Sequence, residues 1–492
     1  MFPLSISALG FLCFLGISLV FYYLLSQRAK PFLLLAVSLL FVASYDLRGI
    51  IFLIASALVI FFTGKALAQS REAAGKPSRR ILILSLAVNL GILAGLKYIA
   101  PYALRENPSM LAKLFIPLGI SYYTLEAVSY VMDVYWGRIQ AETRFLRLLT
   151  YLSYFPQILQ GPISRYSDLS TEIYSKEHSF RPENLKHGAE LMLWGYFQIF
   201  VLGNRIAKDI PGAFSQDLYG LAGFIGLVLF GIELYCNFSG GIDVIRGVSQ
   251  CFGISLPQNF RQPYFSRSLG EFWRRWHITL GSFMKDYVFY PFSMSRPMSR
   301  LKKTLKKKVS RKAANRIVMA IANLFVFLLV GIWHGTGTNY ALWGLYNGLI
   351  LAFSELMTDR YTAMKEKLHI RTESRLWGIF CVVRTFLIVT LGWATDCALT
   401  AGGSLTILNN LLLIGRTNLG ALGISTIGWA LIFLGTAIVI AVSILHEKGC
   451  SIRKAMDRQP VFIQCIFWII LIQLIACLGK SGINGGLMYA VF

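Results

Sequence analysis

The sequence predicts an all-α, polytopic integral membrane protein, and three observations support this fold class. Of the 492 residues, 55% are hydrophobic and only 15% are charged, which is too apolar for an ordinary soluble domain. Several stretches without any charged residue approach the ~20 residues that a helix needs to cross a bilayer. Lys and Arg are concentrated in the short connections between these stretches, as the positive-inside rule describes.

The predicted membrane segments follow from the positions of the charge-free stretches. These stretches cover residues 4–25, 49–64, 81–96, 218–232, 317–333, 418–445 and 461–479. Two further segments, 145–160 and 272–292, carry charges, and we expect them to be re-entrant. With the remaining shorter apolar runs, we expect roughly 11 to 14 membrane segments. The first apolar run has no basic residues before it and is longer than a signal-peptide core, which favours a retained helix.

The basic connections predict the orientation of the chain in the membrane. We place them in the cytoplasm, with the N-terminus outside; they are residues 28–30, 65–80, 296–316, 359–375 and 446–458. The net charge of +24 is therefore explained by topology, and nucleic acid is not an expected partner. No repeat or long linker divides the sequence, so we predict one membrane domain over residues 1–492.

The most basic connection, residues 296–316, contains ten Lys or Arg residues and no acid. We interpret it as a cytoplasmic loop that lies near anionic lipid headgroups. A docking site for an acidic or phosphate-bearing donor is the alternative. In either case the helix from Ile317 begins inside, and at 1.5 Å per residue His334 lies roughly 25 Å along it, towards the outer face.

Two histidine blocks are the candidate functional site, because ionisable groups at membrane depth are costly and usually functional. The first block is Trp273-Arg274-Arg275-Trp276-His277, and the second contains Trp333 and His334. An isolated histidine can also be an interfacial residue that makes an ordinary hydrogen bond. The first block can likewise be an amphipathic helix that lies flat on the membrane, with aromatic anchors and arginines at headgroup level. Alternatively, its arginines line a passage for a phosphate-containing donor.

The surroundings of His334 favour a polar site at the tip of a helix. Asn323 lies eleven residues earlier, which on an ideal helix returns to nearly the same face. Gly335, Gly337 and Asn339 follow, and we expect them to end the helix. Trp333 and Trp343 flank the histidine and can form walls of a pocket.

The absence of several sequence motifs excludes some classes of reaction. It has no Walker or dinucleotide-binding glycine loop and no GxSxG nucleophile motif. The eight cysteines show no metal-ligand spacing, so we assign no metal, no disulfide and no bound cofactor. A neutral histidine beside a cavity suits general-base catalysis on a hydroxyl group.

An ordered series of motifs resembles the membrane-bound O-acyltransferase superfamily, in its bacterial alginate O-acetylase and teichoic-acid D-alanyl transferase branch. The motifs cover about residues 115–350 and are, in order, PLGISYYT from Pro117, DVY from Asp133, FPQ from Phe155, GPISR from Gly161, FSGG from Phe238, PQNF from Pro257, SRSLGEFWRRWHITL from Ser266, KDY from Lys285 and WHG from Trp333. Towards the C-terminus the resemblance weakens, because Gly392-Trp393-Ala394-Thr395-Asp396 lacks an arginine that the family usually shows.

The resemblance implies a funnel-shaped helical fold with a central tunnel, with His334 as the catalytic histidine and His277 as a second motif histidine. It implies transfer of an acyl group from a cytoplasmic thioester, acetyl-CoA or an acyl carrier protein, to a hydroxyl acceptor at the outer face of a bacterial cytoplasmic membrane. Besides lipid, the expected partners are an extracytoplasmic esterase-like protein or a small membrane protein that accepts the acyl group, and a polysaccharide as final acceptor.

Around this implied reaction, Trp273, Arg274, Arg275, Trp276, Asn323 and Trp333 are expected to contact substrate, and Asn339 or the backbone amides near Gly335 to stabilise the oxyanion. Acetyl is the favoured acyl group, and transfer of D-alanine to teichoic acid is the alternative; longer acyl groups are also left open. A transporter or flippase is the alternative from another class, because intramembrane histidines and arginines also mark transport pathways.

Overall fold

The computed structural model of the protein describes residues 9–104, 108–111, 115–209 and 217–480. Within these ranges the regular secondary structure is helical, apart from a single isolated β-bridge between Phe260 and Trp276. The predicted all-α membrane fold class is confirmed. The start of the predicted span 4–25 lies outside the described residues. The funnel with a central tunnel and the single membrane domain stay predictions.

The described residues form two units. The first comprises the described residues within 9–204, 236–257 and 461–480, and the second comprises 205–209, 217–235 and 258–460. The helix Gly220–Cys251 belongs to the second unit up to Tyr235 and to the first unit from Cys236.

The first unit contains the N-terminal helices and one C-terminal helix. Its α-helices are Leu9–Leu24, Lys30–Tyr45, Arg48–Ala74, Arg79–Ala94, Ala100–Ala103, Pro108–Leu111, Ile120–Trp136, Phe145–Ser153, Phe155–Ile158, Tyr166–Tyr174, Pro182–Tyr196 and Val461–Leu478, with π-helical turns at Gly95–Ile99 and Phe197–Gly203. The central element is Ile120–Trp136, in which every residue from Ile120 to Val134 is buried. Gly119 precedes it at φ 71°, and a Cβ there would lie 2.2 Å from the Ile158 carbonyl oxygen, so this position requires glycine.

The second unit contains both histidine blocks. Its α-helices are Leu269–Arg275, Ile278–Phe283, Tyr290–Ser293, Arg296–Leu305, Arg311–His334, Thr338–Lys367, Arg375–Gly392, Ala394–Cys397, Ala401–Asn410, Thr426–Glu447 and Ile452–Asp457. A π-helical turn covers Met284–Phe289, and 3-10 turns cover Pro263–Phe265, Ile414–Arg416 and Leu419–Leu422. The short helix Asn204–Asp209 begins at the boundary between the units.

Seven helical stretches in the described part of the chain are long and apolar enough to cross a membrane. They are Arg48–Ala74, Arg79–Ala103, Gly220–Cys251, Arg311–His334, Arg375–Cys397, Thr426–Glu447 and Val461–Leu478. Leu9–Leu24 and Lys30–Tyr45 are apolar but shorter. The number of membrane segments expected from the sequence is larger, because it also counted short and charge-interrupted segments. Two of these segments, 145–160 and 272–292, consist of short helices rather than one continuous helix.

The segment 272–292 is not one continuous helix. The helix Leu269–Arg275 is capped by Ser268, whose side chain accepts a hydrogen bond from the Glu271 amide at 3.1 Å. Trp276 is then extended, and His277 adopts the left-handed conformation at φ 46° and ψ 55°. A new helix begins at Ile278. The first histidine block is therefore not one continuous amphipathic helix, because one helix ends at Arg275 and the next begins at Ile278.

The basic segment 296–316 was expected to be a loop, but most of it is helical. Ser295 caps the helix Arg296–Leu305, and Ser310 caps the helix that begins at Arg311. Pro297 lies in the first turn, where the missing amide hydrogen costs nothing. Lys, Arg and Leu have high helix propensity, so a run of basic residues does not prevent helix formation.

Close packing of Arg311–His334 against Thr338–Lys367 positions the second histidine. A Cβ on Gly344 would lie 2.5 Å from the Phe327 carbonyl oxygen, and one on Gly331 would lie 2.3 Å from the Tyr340 carbonyl oxygen. The first helix ends at His334, as predicted, and Gly335 is extended. The two helices are therefore joined by three residues, which holds His334 against the start of the second helix.

Candidate active site

His277 is held by Asn259 from a neighbouring part of the second unit. The Asn259 Oδ1 atom accepts hydrogen bonds from the Thr279 amide at 2.9 Å and the Thr279 hydroxyl at 3.0 Å. The His277 Nδ1 atom lies 3.2 Å from the same oxygen. The Ile278 amide also donates to the Asn259 carbonyl oxygen at 3.0 Å. One buried asparagine therefore stabilises the unusual backbone conformation of His277 and orients its ring.

These contacts also determine which ring nitrogen of His277 carries the proton. A backbone amide can only donate, so the Asn259 atom that faces Thr279 is the oxygen. The His277 Nδ1 atom must then donate to that oxygen, and the lone pair of a neutral ring lies on Nε2. His277 is thus arranged to accept a hydrogen bond through Nε2.

His277 is kept neutral by its environment. Its side chain is buried, and burial lowers its pKa to about 3, with the charge of His334 as a second cause. The interaction between the two rings shows that the fold brings the two histidine blocks together. A neutral imidazole that cannot easily take up a proton is suited to orienting a partner group rather than to accepting its proton.

His334 lies at the end of its helix among three aromatic rings. The ring centroid of His334 is 5.1 Å from that of Trp333, 5.2 Å from that of Trp343 and 6.2 Å from that of Tyr340, with the Tyr340 ring nearly parallel at 22°. His334 is half-buried, whereas His277 is fully enclosed. Of the two histidines, His334 is therefore the one that a substrate can reach.

Trp343 connects the two blocks. Its ring centroid lies 5.2 Å from those of both His334 and Trp273. The Trp273 indole nitrogen donates to Asn347 Oδ1 at 3.2 Å, and the Asn347 amide donates to the Trp343 carbonyl oxygen at 3.0 Å. Trp273 therefore helps to hold Trp343 beside His334. Trp273 itself is half-buried.

The other members of the first block have different environments. Trp276 is buried in an aromatic cluster, stacked on Phe272 at 5.5 Å and 5.3 Å from Trp393. Arg275 forms ion pairs with Glu271 at 2.7 Å and with Glu447 at 2.8 Å. Arg274 is exposed and makes no ion pair with a described residue. Only Arg274 of the two arginines is open to bind an anionic donor.

Two predicted site residues, Asn323 and Asn339, differ from the expectation. Asn323 lies away from His334, and the Asn339 side chain binds the backbone of another helix. Asn323 precedes His334 by eleven residues on one helix, which separates them by roughly 16 Å, and it is half-buried. Asn339 is buried, and its amide nitrogen donates to the Thr395 carbonyl oxygen at 3.0 Å. Asn339 therefore fixes the chain that follows His334 to the helix Ala394–Cys397.

The sequence did not predict a role for Asn259, Tyr340, Asn347 or Asp396. Asn259 lies in a matched motif, but only the fold shows that its side chain holds His277. Tyr340 and Asn347 are one and three turns into the helix after His334, a spacing that a helical projection from Thr338 would have placed near Trp343. Asp396 appeared only as a departure from a family pattern.

The fold and site define a polytopic membrane protein with two coupled histidines, one neutral and enclosed, the other accessible at the end of a membrane helix. Residues 141–391, more than half of the chain, match the model of the membrane-bound O-acyltransferase family, MBOAT. The chain therefore belongs to this family and is an O-acyltransferase.

Curated relatives act on several acceptors. The chain is 28% identical over 392 residues to a probable alginate O-acetylase AlgI of Pseudomonas syringae pv. tomato, covering 77% of this chain and 69% of the relative. It is 26% identical over 437 residues to a peptidoglycan O-acetyltransferase of Helicobacter pylori, covering 81% and 78%. It is 28% identical over 291 residues to a teichoic acid D-alanyltransferase of Bacillus subtilis, covering 56% and 67%.

Proposed function

We propose that this protein transfers an acetyl group from a thioester donor in the cytoplasm to a hydroxyl acceptor at the outer face of a bacterial cytoplasmic membrane. The final product would be an O-acetylated cell-surface polysaccharide or exopolysaccharide. The observation that carries the proposal is the accessible His334, coupled to a neutral His277 in a chain that belongs to an O-acyltransferase family. Acetyl is favoured because the O-acetylating relatives match 77% and 81% of the chain.

In the proposed reaction His334 is the general base. It takes the proton from the acceptor hydroxyl as that oxygen attacks the thioester carbonyl and forms the new C–O bond. The tetrahedral intermediate then collapses with cleavage of the C–S bond. The leaving thiolate takes from His334 the proton that came from the acceptor hydroxyl. A correctly placed base contributes a factor of roughly 10² to 10⁴ to the rate.

The other residues have supporting roles in this proposal. His277 accepts a hydrogen bond through Nε2 and so orients a donor group in the site. Arg274 is exposed and unpaired among the described residues, which suits binding of the phosphate that both CoA and a carrier-protein prosthetic arm contain. Arg275, Trp273 and Asn339 maintain the site through the contacts described above.

The acceptor side follows from the predicted orientation. His334 ends a helix whose basic start is expected inside, so the hydroxyl acceptor would approach from outside. We expect an extracytoplasmic esterase-like protein, or a small membrane protein that accepts the acyl group, to pass it to the polysaccharide. Transfer of D-alanine to teichoic acid is the second candidate, supported by the Bacillus subtilis relative, which matches 56% of the chain.

The test is acyl transfer by the purified protein in nanodiscs. Radiolabelled acetyl-CoA, acetyl carrier protein and D-alanyl carrier protein are supplied in parallel with a hydroxyl acceptor, and release of thiol and labelled ester are measured. We expect ester formation with the acetyl donors, and a loss of about a hundredfold or more in His334→Ala. His369→Ala, in an exposed connection, is the matched control. Full activity of His334→Ala, with an unchanged gel-filtration profile, would remove His334 as the base.

A further inference from the structure

Arg384 is a cation on the exposed side of a membrane helix, and no step of the proposed reaction uses it. It lies roughly 14 Å along the apolar stretch Arg375–Cys397, which is long enough to cross a membrane. Phe380 and Leu387, one turn before and one turn after it, are exposed apolar residues. Arg384 is also exposed, and it forms no ion pair with a described residue. A guanidinium group among lipid-facing side chains is costly unless it reaches an anion.

The side chain of Arg384 points back along the helix, towards its first turns. The Arg384 Cζ atom lies 5.9 Å from the ring centroid of Phe380, as expected because helical side chains tilt towards the N-terminus. The Arg384 Nη2 atom donates to the Arg267 carbonyl oxygen at 2.8 Å. This hydrogen bond fixes the position of the guanidinium group, and the other N–H groups of Arg384 have no partner among the described residues.

A second guanidinium group, that of Arg267, lies against the same turn of this helix. A Cβ atom on Gly378 would lie 3.5 Å from the Arg267 Nη2 atom and 3.8 Å from its Cζ atom. Arg267 is exposed and forms no ion pair with a described residue. Glu271, which accepts the Arg267 backbone amide at 2.9 Å, forms its ion pair with Arg275. Two guanidinium groups therefore meet at residues 378–380, and no described acid pairs with either.

The same turn carries the features of a helix end at the headgroup layer. Trp377 is half-buried there, and its ring centroid lies 5.3 Å from that of Phe380 and 5.7 Å from the Lys365 Nζ atom. Tryptophan is enriched at the membrane–water interface, where its ring lies among the headgroups. The connection 359–375, which precedes the helix, is one of those expected in the cytoplasm. In this orientation the two guanidinium groups reach the phosphates of the cytoplasmic leaflet.

We propose that Arg267 and Arg384 form a binding site for an anionic phospholipid. The headgroup phosphate binds between the two guanidinium groups, whose paired N–H donors match phosphate oxygens. An acyl chain then lies along the exposed apolar surface of the helix, which includes Ile379, Phe380 and Val383. Two cations that no described acid neutralises favour phosphatidylglycerol over phosphatidylcholine, because choline brings a positive charge of its own.

The bound lipid would connect two segments that lead to the histidines. Arg267 lies two residues before the helix that leads into His277. One turn beyond Arg384, the Ile388 carbonyl oxygen accepts the Tyr346 hydroxyl at 2.7 Å, and Tyr346 belongs to the helix that follows the second histidine. A phosphate that binds both arginines therefore joins the start of the first histidine block to a helix that packs beside the second.

The experiment measures lipid binding to the delipidated full-length protein in detergent by native mass spectrometry. The protein is titrated with dioleoylphosphatidylglycerol or dioleoylphosphatidylcholine, and the ratio of the two dissociation constants is determined for the first bound lipid. We expect phosphatidylglycerol to be preferred by roughly tenfold or more, because each cation beside an anionic headgroup contributes about fivefold. In Arg267→Gln/Arg384→Gln the ratio should fall towards one.

A single variant keeps the test valid if the double variant does not fold. The Arg267 side chain makes no hydrogen bond to a described residue, so Arg267→Gln should keep the wild-type gel-filtration profile. We expect it to lower the preference for phosphatidylglycerol about fivefold. An unchanged preference in this folded variant would overturn the proposal, as would a wild-type ratio near one.

Arg79→Gln/Arg80→Gln is the matched control, because it removes two exposed arginines from the start of another membrane-spanning helix. It should keep the wild-type ratio, and an equal fall in this variant would show that the preference reflects total charge alone. Inorganic phosphate and CoA, each in molar excess, should leave the lipid bound. Displacement by either would assign the two arginines to a soluble phosphate compound and overturn the lipid site. Because acyl transfer is not measured, failure of the lipid site leaves the proposed function unaffected.

Discussion

At the scale of single residues, the site depends on how His277 is held. Its left-handed backbone at φ 46° costs about 1–3 kcal/mol for a residue other than glycine. Three hydrogen bonds to the side chain and one to the backbone of Asn259 offset this cost. A single asparagine from the preceding loop therefore determines both the tautomer and the orientation of the histidine.

Replacement of Asn259 should damage the site through His277. In Asn259→Ala, the His277 Nδ1–H and the Thr279 amide and hydroxyl lose their shared acceptor, and an unsatisfied buried donor costs about 1–3 kcal/mol. We expect a lower midpoint of thermal unfolding and a fall in kcat of roughly tenfold or more. Asn259→Asp, which retains an acceptor oxygen at the same place, should lose less activity. Wild-type kcat in the alanine variant would contradict the assigned role.

The neutrality of His277 predicts a pH dependence of stability. Its pKa is about 3 in the folded protein and about 6.5 in an unfolded chain. Between these values the unfolded chain binds more protons, so stability falls as the pH drops below about 6.5, by at most about 1.4 kcal/mol per pH unit. His277→Gln should flatten this dependence in thermal unfolding measured in detergent from pH 7.5 to pH 5. The exposed His369→Gln variant should keep the wild-type slope.

At the scale of helices, the packing of Arg311–His334 against Thr338–Lys367 sets the distance between His334 and Trp343. Gly344 lies at the closest approach, with its missing Cβ 2.5 Å from the Phe327 carbonyl oxygen and 3.0 Å from the Leu328 Cα. These are backbone atoms, which cannot move aside without separating the helices. The glycine therefore positions the site without taking part in the chemistry.

Substitution of Gly344 tests this packing. Alanine in a helix is normally more stable than glycine by about 1 kcal/mol, but Gly344→Ala should be destabilising, because the added methyl group pushes the helices apart. We expect a lower thermal midpoint and at least a tenfold loss of acyl transfer. Gly402→Ala, where the nearest atom to a new Cβ is 4.0 Å away, is the matched helical control. A stabilised, active Gly344→Ala would show that the helices are not packed as described.

Helices are also the scale at which the sequence was most informative. Charge-free runs located six of the seven apolar helices long enough to span a membrane in the described part of the chain, and missed Arg375–Cys397, which Arg384 interrupts. The glycines after His334 located the end of Arg311–His334. The break at His277 was not predictable, because the left-handed turn depends on hydrogen bonds to Asn259, 18 residues earlier in the chain. The position of Asp396 beside Trp343 was also not predictable, because it depends on the packing of Asn339 against Thr395.

At the scale of the whole molecule, function depends on the orientation of the chain across the bilayer. The proposed reaction needs the donor inside and the acceptor outside, as the family resemblance implies, and the basic connections predict which ends of the helices lie on each side. The most basic of these is the segment 296–316, which has ten cations; among the described residues, Lys312 and Arg316 are the two that pair with an acid, Asp359. The remaining positive charges are suited to the anionic cytoplasmic leaflet.

This orientation predicts which residues are accessible from each side in intact cells. Single cysteines are introduced into an active variant whose eight native cysteines are replaced by serine, one at Leu399 and one at Lys307. Leu399 is 89% exposed and lies three residues beyond Asp396, so Leu399→Cys should react with a membrane-impermeant maleimide added outside. Lys307→Cys should react only after the membrane is permeabilised, because moving the basic segment across the bilayer would oppose the positive-inside rule. Labelling of both cysteines from the same side would exclude the proposed path from a cytoplasmic donor to an acceptor outside, whichever residue acts as the base.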